Sequence, residues 1–168
     1  GEWRLYTGRR EIGEEVYFFD DNGVMLTEDG WSGEYYVKDG KAVTGKVQIG
    51  DKWYLFGMDG KQLTGGIAYS DGYCYYAPAG EDHGALKMNY FRDRGDGFTY
   101  YDAEGHAVDG WIEYSIVNPE NASFETGRYY QKSGEWRLYT GQHEIGEEIY
   151  FFDDNGRLLT EDGWSGEY

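Results

Sequence analysis

One short aromatic phrase recurs along this chain, and recurrence at such short intervals does not suit a domain built around a single core. Val16-Tyr17-Phe18-Phe19 returns as Trp53-Tyr54-Leu55-Phe56, as Tyr73-Cys74-Tyr75-Tyr76, as Phe98-Thr99-Tyr100-Tyr101 and as Ile149-Tyr150-Phe151-Phe152. The interval is roughly 20–25 residues, with shorter and longer variants, which is the period of solenoids and arrays. Each phrase leads through a turn glycine and a small apolar tail to Gly-Trp or its remnant, as at Gly30-Trp31. A repeat of this kind directs the functional question to surfaces and binding, away from a catalytic pocket.

The unit reads as β-structure. In the stretch from Gly50 to Gly65, a Gly-Asp turn precedes the aromatic strand and Met58-Asp59-Gly60 makes a second turn. A short strand, Lys61-Gln62-Leu63-Thr64, follows. The spacing predicts a hairpin in which Asp-Gly supplies the positive φ that the turn requires. Gly23, Gly40, Gly105 and Gly156 occupy the matching place elsewhere. Alternation sends Tyr73 and Tyr75 to one face and Cys74 and Tyr76 to the other. A lone hairpin is marginal in water, so the units must stack. No stretch shows sustained helical spacing of apolar residues, so no significant helix is expected. Residues 112–126 break the rhythm; Asn118-Pro119-Glu120-Asn121 reads as a turn in an insertion projecting from the stack.

A longer repeat encloses the short one. Residues 1–35 return as 134–168 with five exchanges: Arg9 for Gln142, Arg10 for His143, Val16 for Ile149, Val24 for Arg157 and Met25 for Leu158. The expected organisation is one macro-repeat over 1–133, holding about six hairpin units. The start of the next occupies 134–168, as in a piece of a longer tandem protein.

Composition narrows the function. Aromatic residues make up 19% of the chain, led by 18 Tyr, so rings must build most of the core. The net charge is −17, the opposite of what nucleic acid or an anionic membrane face requires. No apolar run is long enough to span a bilayer, and any export or anchoring signal is expected outside these residues. The single cysteine, Cys74, has no disulfide partner and reads as a buried thiol. The paired acids sit in turns, where Asp bonds the local backbone. His83, His106 and His143 fall in different units without metal-ligand spacing, and no nucleophile stands beside a base. The reading is therefore non-enzymatic, with neither cofactor nor metal. Arg94-Gly95-Asp96 spells an adhesion-type tripeptide, and Asn121-Ala122-Ser123 fits the glycosylation pattern.

The phrases quoted above, with Gly-Trp at Trp31, Trp111 and Trp164, resemble the cell-wall-binding, choline-binding-like repeat superfamily. Its relatives include glucan-binding repeats of glucansucrases and receptor-binding repeats of large clostridial toxins. The resemblance implies an all-β solenoid of stacked β-hairpins winding as a superhelix, with ligands held between neighbouring hairpins. In choline-binding members the cage combines the Trp of Gly-Trp, the first aromatic of the following strand and an aromatic of the next hairpin. In this sequence the Gly-Trp position also carries Lys46, Gly66 and Gln142, and the first strand aromatic gives way to Val16 and Ile149.

The function so implied is a secreted or surface-attached bacterial binding module, its partners cell-wall or host glycans or choline-like head groups. The ligand-facing candidates are Trp31, Trp53, Trp111 and Trp164, followed by Tyr35, Tyr73, Phe98 and Trp136. Two other readings stay open. One is an adhesin whose Tyr-rich acidic face binds a host surface or serum protein, for example an immunoglobulin or a mucosal glycoprotein. The other is a structural spacer.

Overall fold

The computed structural model describes residues 4–80, 82–116, 119–121, 123–132 and 134–160. Its contacts gather into two compact units, 1–86 and 87–168. Both are built of antiparallel hairpins.

The first unit runs β1 (Gly8–Ile12), β2 (Glu15–Phe19), β3 (Gly30–Ser32), β4 (Tyr35–Lys38), β5 (Lys41–Ala42), β6 (Gly45–Ile49), β7 (Lys52–Phe56), β8 (Gly66–Ser70) and β9 (Tyr73–Ala77). Strands β1 to β5 form one sheet in the order β1-β2-β5-β4-β3, while β6-β7 and β8-β9 are separate two-stranded ribbons. The second unit holds β10 (Tyr90–Asp93), β11 (Phe98–Tyr101), β12 (Gly110–Tyr114), β13 (Gly127–Lys132), β14 (Arg137–Leu138), β15 (Gly141–Ile145) and β16 (Glu148–Phe152). Here β10-β11 and β15-β16 are ribbons and β12-β13-β14 is a three-stranded sheet. The described residues include one 3₁₀ turn, Pro119–Asn121, and no α-helix.

Four of the hairpins share one register. A glycine opens the first strand and faces the last residue of the aromatic strand in Gly8↔Phe19, Gly45↔Phe56, Gly66↔Ala77 and Gly141↔Phe152. The aromatic strand therefore finds its ladder partner before it in sequence. The segment after it adds only single bridges, such as Phe19↔Met25, Phe56↔Gln62 and Phe152↔Leu158. The sequence suggested that this later segment would complete the hairpin. The turn behind the aromatic strand is too tight to continue a ladder. Gly23, Gly105 and Gly156 each donate their N–H to the carbonyl three residues back and lie at φ +78, +80 and +85. Asp20, Asp102 and Asp153 pin those turns, because each Oδ1 accepts the N–H two residues on at 2.9 Å and four residues on at 2.8 Å. Part of the acidity of the sequence is turn chemistry of this kind.

Rings fill the cores. In the first unit Val16, Phe18, Tyr35 and Val37 pack together, with Phe18 edge-on to Tyr35 at 5.4 Å. In the second, Phe91, Tyr100, Ile112, Tyr114, Phe124, Tyr129 and Leu138 form one cluster. Ile112, Tyr114 and Phe124, from the stretch expected to project from the stack, lie in this core. Phe124 stacks on Phe91 at 3.8 Å, a large enough apolar contact to draw the segment inward. Asn121, 2% exposed, accepts the Phe91 N–H at 3.0 Å and donates to the Asn89 carbonyl. An amide so enclosed is not a glycosylation acceptor in the folded chain.

A second buried amide ties hairpin to hairpin. Gln131 is fully enclosed; its Oε1 accepts the Tyr100 N–H at 2.7 Å and its Nε2 donates to the Val108 carbonyl at 2.8 Å. It replaces backbone pairing where β11 and β13 meet without a ladder. Gln131→Ala leaves both groups dry and unpaired, and is expected to cost about 3 kcal/mol in urea unfolding. Burial also pushes the Tyr100 and Tyr129 hydroxyls up to about 12. Both phenols hold their protons more tightly folded than unfolded, where the value is 10.0. Their contribution is complete below that pH and is lost as pH rises towards 12. The urea midpoint should fall across this window, and fall less in Tyr129→Phe.

Candidate functional site

Two seams between hairpins carry the same ring frame. In the first unit Trp31 of β3 stands opposite Tyr36 of β4, with ring centroids 5.4 Å apart. It meets Tyr54 and Phe56 of β7 at 5.1 and 6.0 Å. In the second unit Trp111 of β12 stands opposite Tyr130 of β13 at 5.2 Å, and meets Tyr150 and Phe152 of β16 at 4.9 and 6.1 Å. Interplanar angles agree pair by pair: 76° and 78°, 72° and 71°, 36° and 34°. Register produces this match. The Trp follows the strand-opening glycine, and the two partner rings are the third and fifth residues of the neighbouring aromatic strand.

The fourth side of the frame differs. His83 lies nearly parallel to Trp31, at 5.2 Å and 14°. Over Trp111 sits the guanidinium of Arg128, 4.4 Å from the ring centroid and bonded through Nε to Glu113 at 2.7 Å. Glu148 accepts the Tyr150 hydroxyl proton and so pushes that phenol up.

At the other strand-opening glycines the Trp is replaced. Arg9 points its guanidinium at Tyr35, 5.3 Å from the centroid. Lys46 lies over both Trp53 and Tyr75, at 5.1 and 5.7 Å. In β8 the ladder places Ile67 in this role, where the sequence alone had suggested Gly66. Gln142 takes it in β15.

An open groove of about 390 Å³ borders Trp31 and is lined also by Asp20, Met25, Leu26, Glu28 and Asp29. Met25 and Leu26 are 38% and 41% exposed. The groove therefore joins an indole, apolar side chains and three carboxylates.

The adhesion-type tripeptide is held by its own chain. Arg94 donates to the carbonyls of Glu135 and Trp136 at 3.0 and 2.9 Å, and Asp96 pairs with Arg137.

A family model described as a putative cell wall binding repeat matches residues 10–25. The chain is 30% identical over 169 residues to Glucosyltransferase-S of Streptococcus mutans serotype c, a match covering 88% of this chain and 11% of that protein. It is 24% identical over 186 residues to Glucosyltransferase-I of Streptococcus downei, covering 92% of this chain and again 11% of the relative. The chain thus corresponds to a small part of each. The crystal structure of choline binding protein F from Streptococcus pneumoniae, obtained in the presence of a peptidoglycan analogue, shares the fold. Its TM-score is 0.69 at 24% identity, over 95% of this chain and 55% of that one. Residues 10–25 thus match a cell wall binding repeat, and the chain shares the fold of a choline binding protein.

Within these choline-binding-like repeats the sequence candidates separate. Trp31 and Trp111 stand at the centres of the two ring frames, both half-buried. Trp53 is half-buried beneath Lys46. Tyr35 is 9% exposed and belongs to the first core, while Phe98 packs on the second, edge-on to Phe124 at 4.9 Å. Tyr73, at the start of β9, is 50% exposed. Trp136 is half-buried at φ +49, and its carbonyl accepts from Arg94 and Thr99. Trp164 lies outside the described residues. Sequence reasoning missed Tyr36, Tyr54, Tyr130 and Tyr150 as frame members, and Arg128 and His83 as their covers. Counting from the strand-opening glycine would have found the tyrosines. No sequence signal marks Arg128, because the long connection from β12 to β13 hides its place two residues before Tyr130.

Proposed function

We propose that these repeats form a non-catalytic carbohydrate- or cell-wall-binding module that engages its ligand at the Trp31 seam. The observation that carries this reading is the groove, which sets a half-buried indole beside three carboxylates and exposed Met25 and Leu26. A sugar ring has an apolar C–H face that packs on an indole and hydroxyl edges that donate to carboxylate oxygens. Asp20 and Asp29 are already fixed by backbone N–H groups, so their oxygens are presented without loss of side-chain freedom.

The relatives support the same reading. Two are glucosyltransferases that this chain matches over a small part of their length, and a structural neighbour was solved with a peptidoglycan analogue. In this proposal the 133-residue macro-repeat multiplies weak sites, and avidity comes from their number. The module works outside the cell, where a glycan or a wall is within reach.

Dextran and a soluble peptidoglycan fragment serve as test ligands. Trp31→Ala should weaken binding of whichever of them the wild-type chain holds by about tenfold, equivalent to about 1.4 kcal/mol. Its strand content, read by circular dichroism, should stay that of the wild type. Unchanged affinity in a folded Trp31→Ala chain would remove the Trp31 groove from the reading.

A further inference from the structure

We infer that Arg128 determines what the Trp111 seam can hold, by occupying with the chain's own guanidinium the ring face that would otherwise take a quaternary ammonium ligand. The inference rests on the proposal that ring seams are the binding sites of this module.

Three observations carry it. The first is the near-identity of the Trp31 and Trp111 frames, which agree within 2° in all three interplanar angles. Any difference in ligand choice between them must come from the fourth side. The second is the chemistry of that side. At Trp111 a permanent cation lies 4.4 Å from the ring centroid, with Glu113 as its counter-ion at 2.7 Å. An aromatic face flanked by a carboxylate is what an alkylammonium ion seeks, and the guanidinium already has both. At Trp31 the residue two places before the facing Tyr36 is Glu34, which pairs with Lys61 at 3.5 Å and leaves that face to His83. The third is recurrence. Lys46 over Trp53 and Tyr75 repeats the pairing of ring and built-in cation at another seam, and Arg9 over Tyr35 repeats it within the first sheet.

Tethering makes such a cover effective. Arg128 sits on the strand that carries Tyr130, so it meets the ring intramolecularly and a free ligand has to compete with a tethered one. A quaternary ammonium ion has to displace it and leave Glu113 with an altered partner. At Trp31 the cover is the His83 ring at 5.2 Å, so a neutral sugar in the adjoining groove meets no guanidinium. The seams therefore divide: Trp111 is closed to cations by its own hairpin, while the groove beside Trp31 remains open to a glycan.

The test titrates choline chloride and follows the indole N–H resonance of Trp111, assigned by its loss in Trp111→Phe. Choline should shift this resonance in Arg128→Ala at concentrations at least tenfold below any that affect the wild-type chain. Arg128→Lys, which restores a cation, should behave like wild type. Equal responses in wild type and Arg128→Ala would overturn the inference, as would no response in a folded Arg128→Ala chain. If that variant does not fold, the wild-type side-chain protons of Arg128 decide. They should be shifted upfield by the Trp111 ring and move back in Trp111→Phe, and an ordinary shift would overturn the inference. Dextran and peptidoglycan-fragment titrations read at Trp31 run beside these. Loss of both signals would sink the glycan reading while leaving the Arg128 result to stand or fall by itself.

Discussion

Everything in this structure depends on ring-to-ring contact between one hairpin and the next. A five-residue ladder such as β6-β7 or β15-β16 buries little by itself. The chain has few aliphatic residues with which to thicken it. Tyr54 and Phe56 from one ribbon therefore close on Trp31 of the preceding one, and Tyr150 and Phe152 close on Trp111. The contact is directional, because edge-to-face geometry fixes both distance and angle. This explains how two seams 80 residues apart in sequence keep the same angles within 2°. A purely aliphatic interface would allow more slippage.

Polar groups work at the joints that rings cannot reach. In the turns at Asp20, Asp102 and Asp153 the Asp saturates two N–H groups, so the chain reverses without losing hydrogen bonds. Gln131 does the same between β11 and β13, and Asn121 between the 3₁₀ turn and β10. Both are nearly sealed from solvent, which makes them costly to disturb and keeps their partners in one arrangement.

The fold was legible because its signals are local: alternation within Tyr73–Tyr76, turn glycines at constant offset, and a repeating aromatic phrase. Burial was not. Leu138 and Leu5 sit in the same sequence, Trp-Arg-Leu-Tyr-Thr, yet Leu138, laddered to Gln131 of β13, is 3% exposed and Leu5 is 76% exposed. What decides is the neighbouring hairpin, which no window around the leucine contains. The site shows the same limit. Trp31 and Trp111, proposed from the local Gly-Trp pattern, lie in the ring frames, whereas Tyr35, a secondary candidate, belongs to a core. The covers were illegible for a further reason. Arg128 reaches Trp111 across a hairpin whose connection is 12 residues long, from 115 to 126. His83 reaches Trp31 from beyond β9.

The chain's sparse positive charges have a consistent place in this design. Among the described residues Arg9, Lys41, Lys46, Lys87 and Arg128 each lie over an aromatic ring. With 15 basic residues against 32 acidic ones, drawing cations onto the seams leaves the turns and outer strands more acidic still. A cation on a ring stabilises a seam by about 0.5–2 kcal/mol and at the same time consumes a place where a ligand could stack. A repeat array faces that exchange at every joint. On the proposed function, rings with a bound cation favour the integrity of the stack, and rings beside an open groove serve recognition. The Trp111 and Trp31 frames stand at the two ends of this choice, although the ring geometry beneath them is the same.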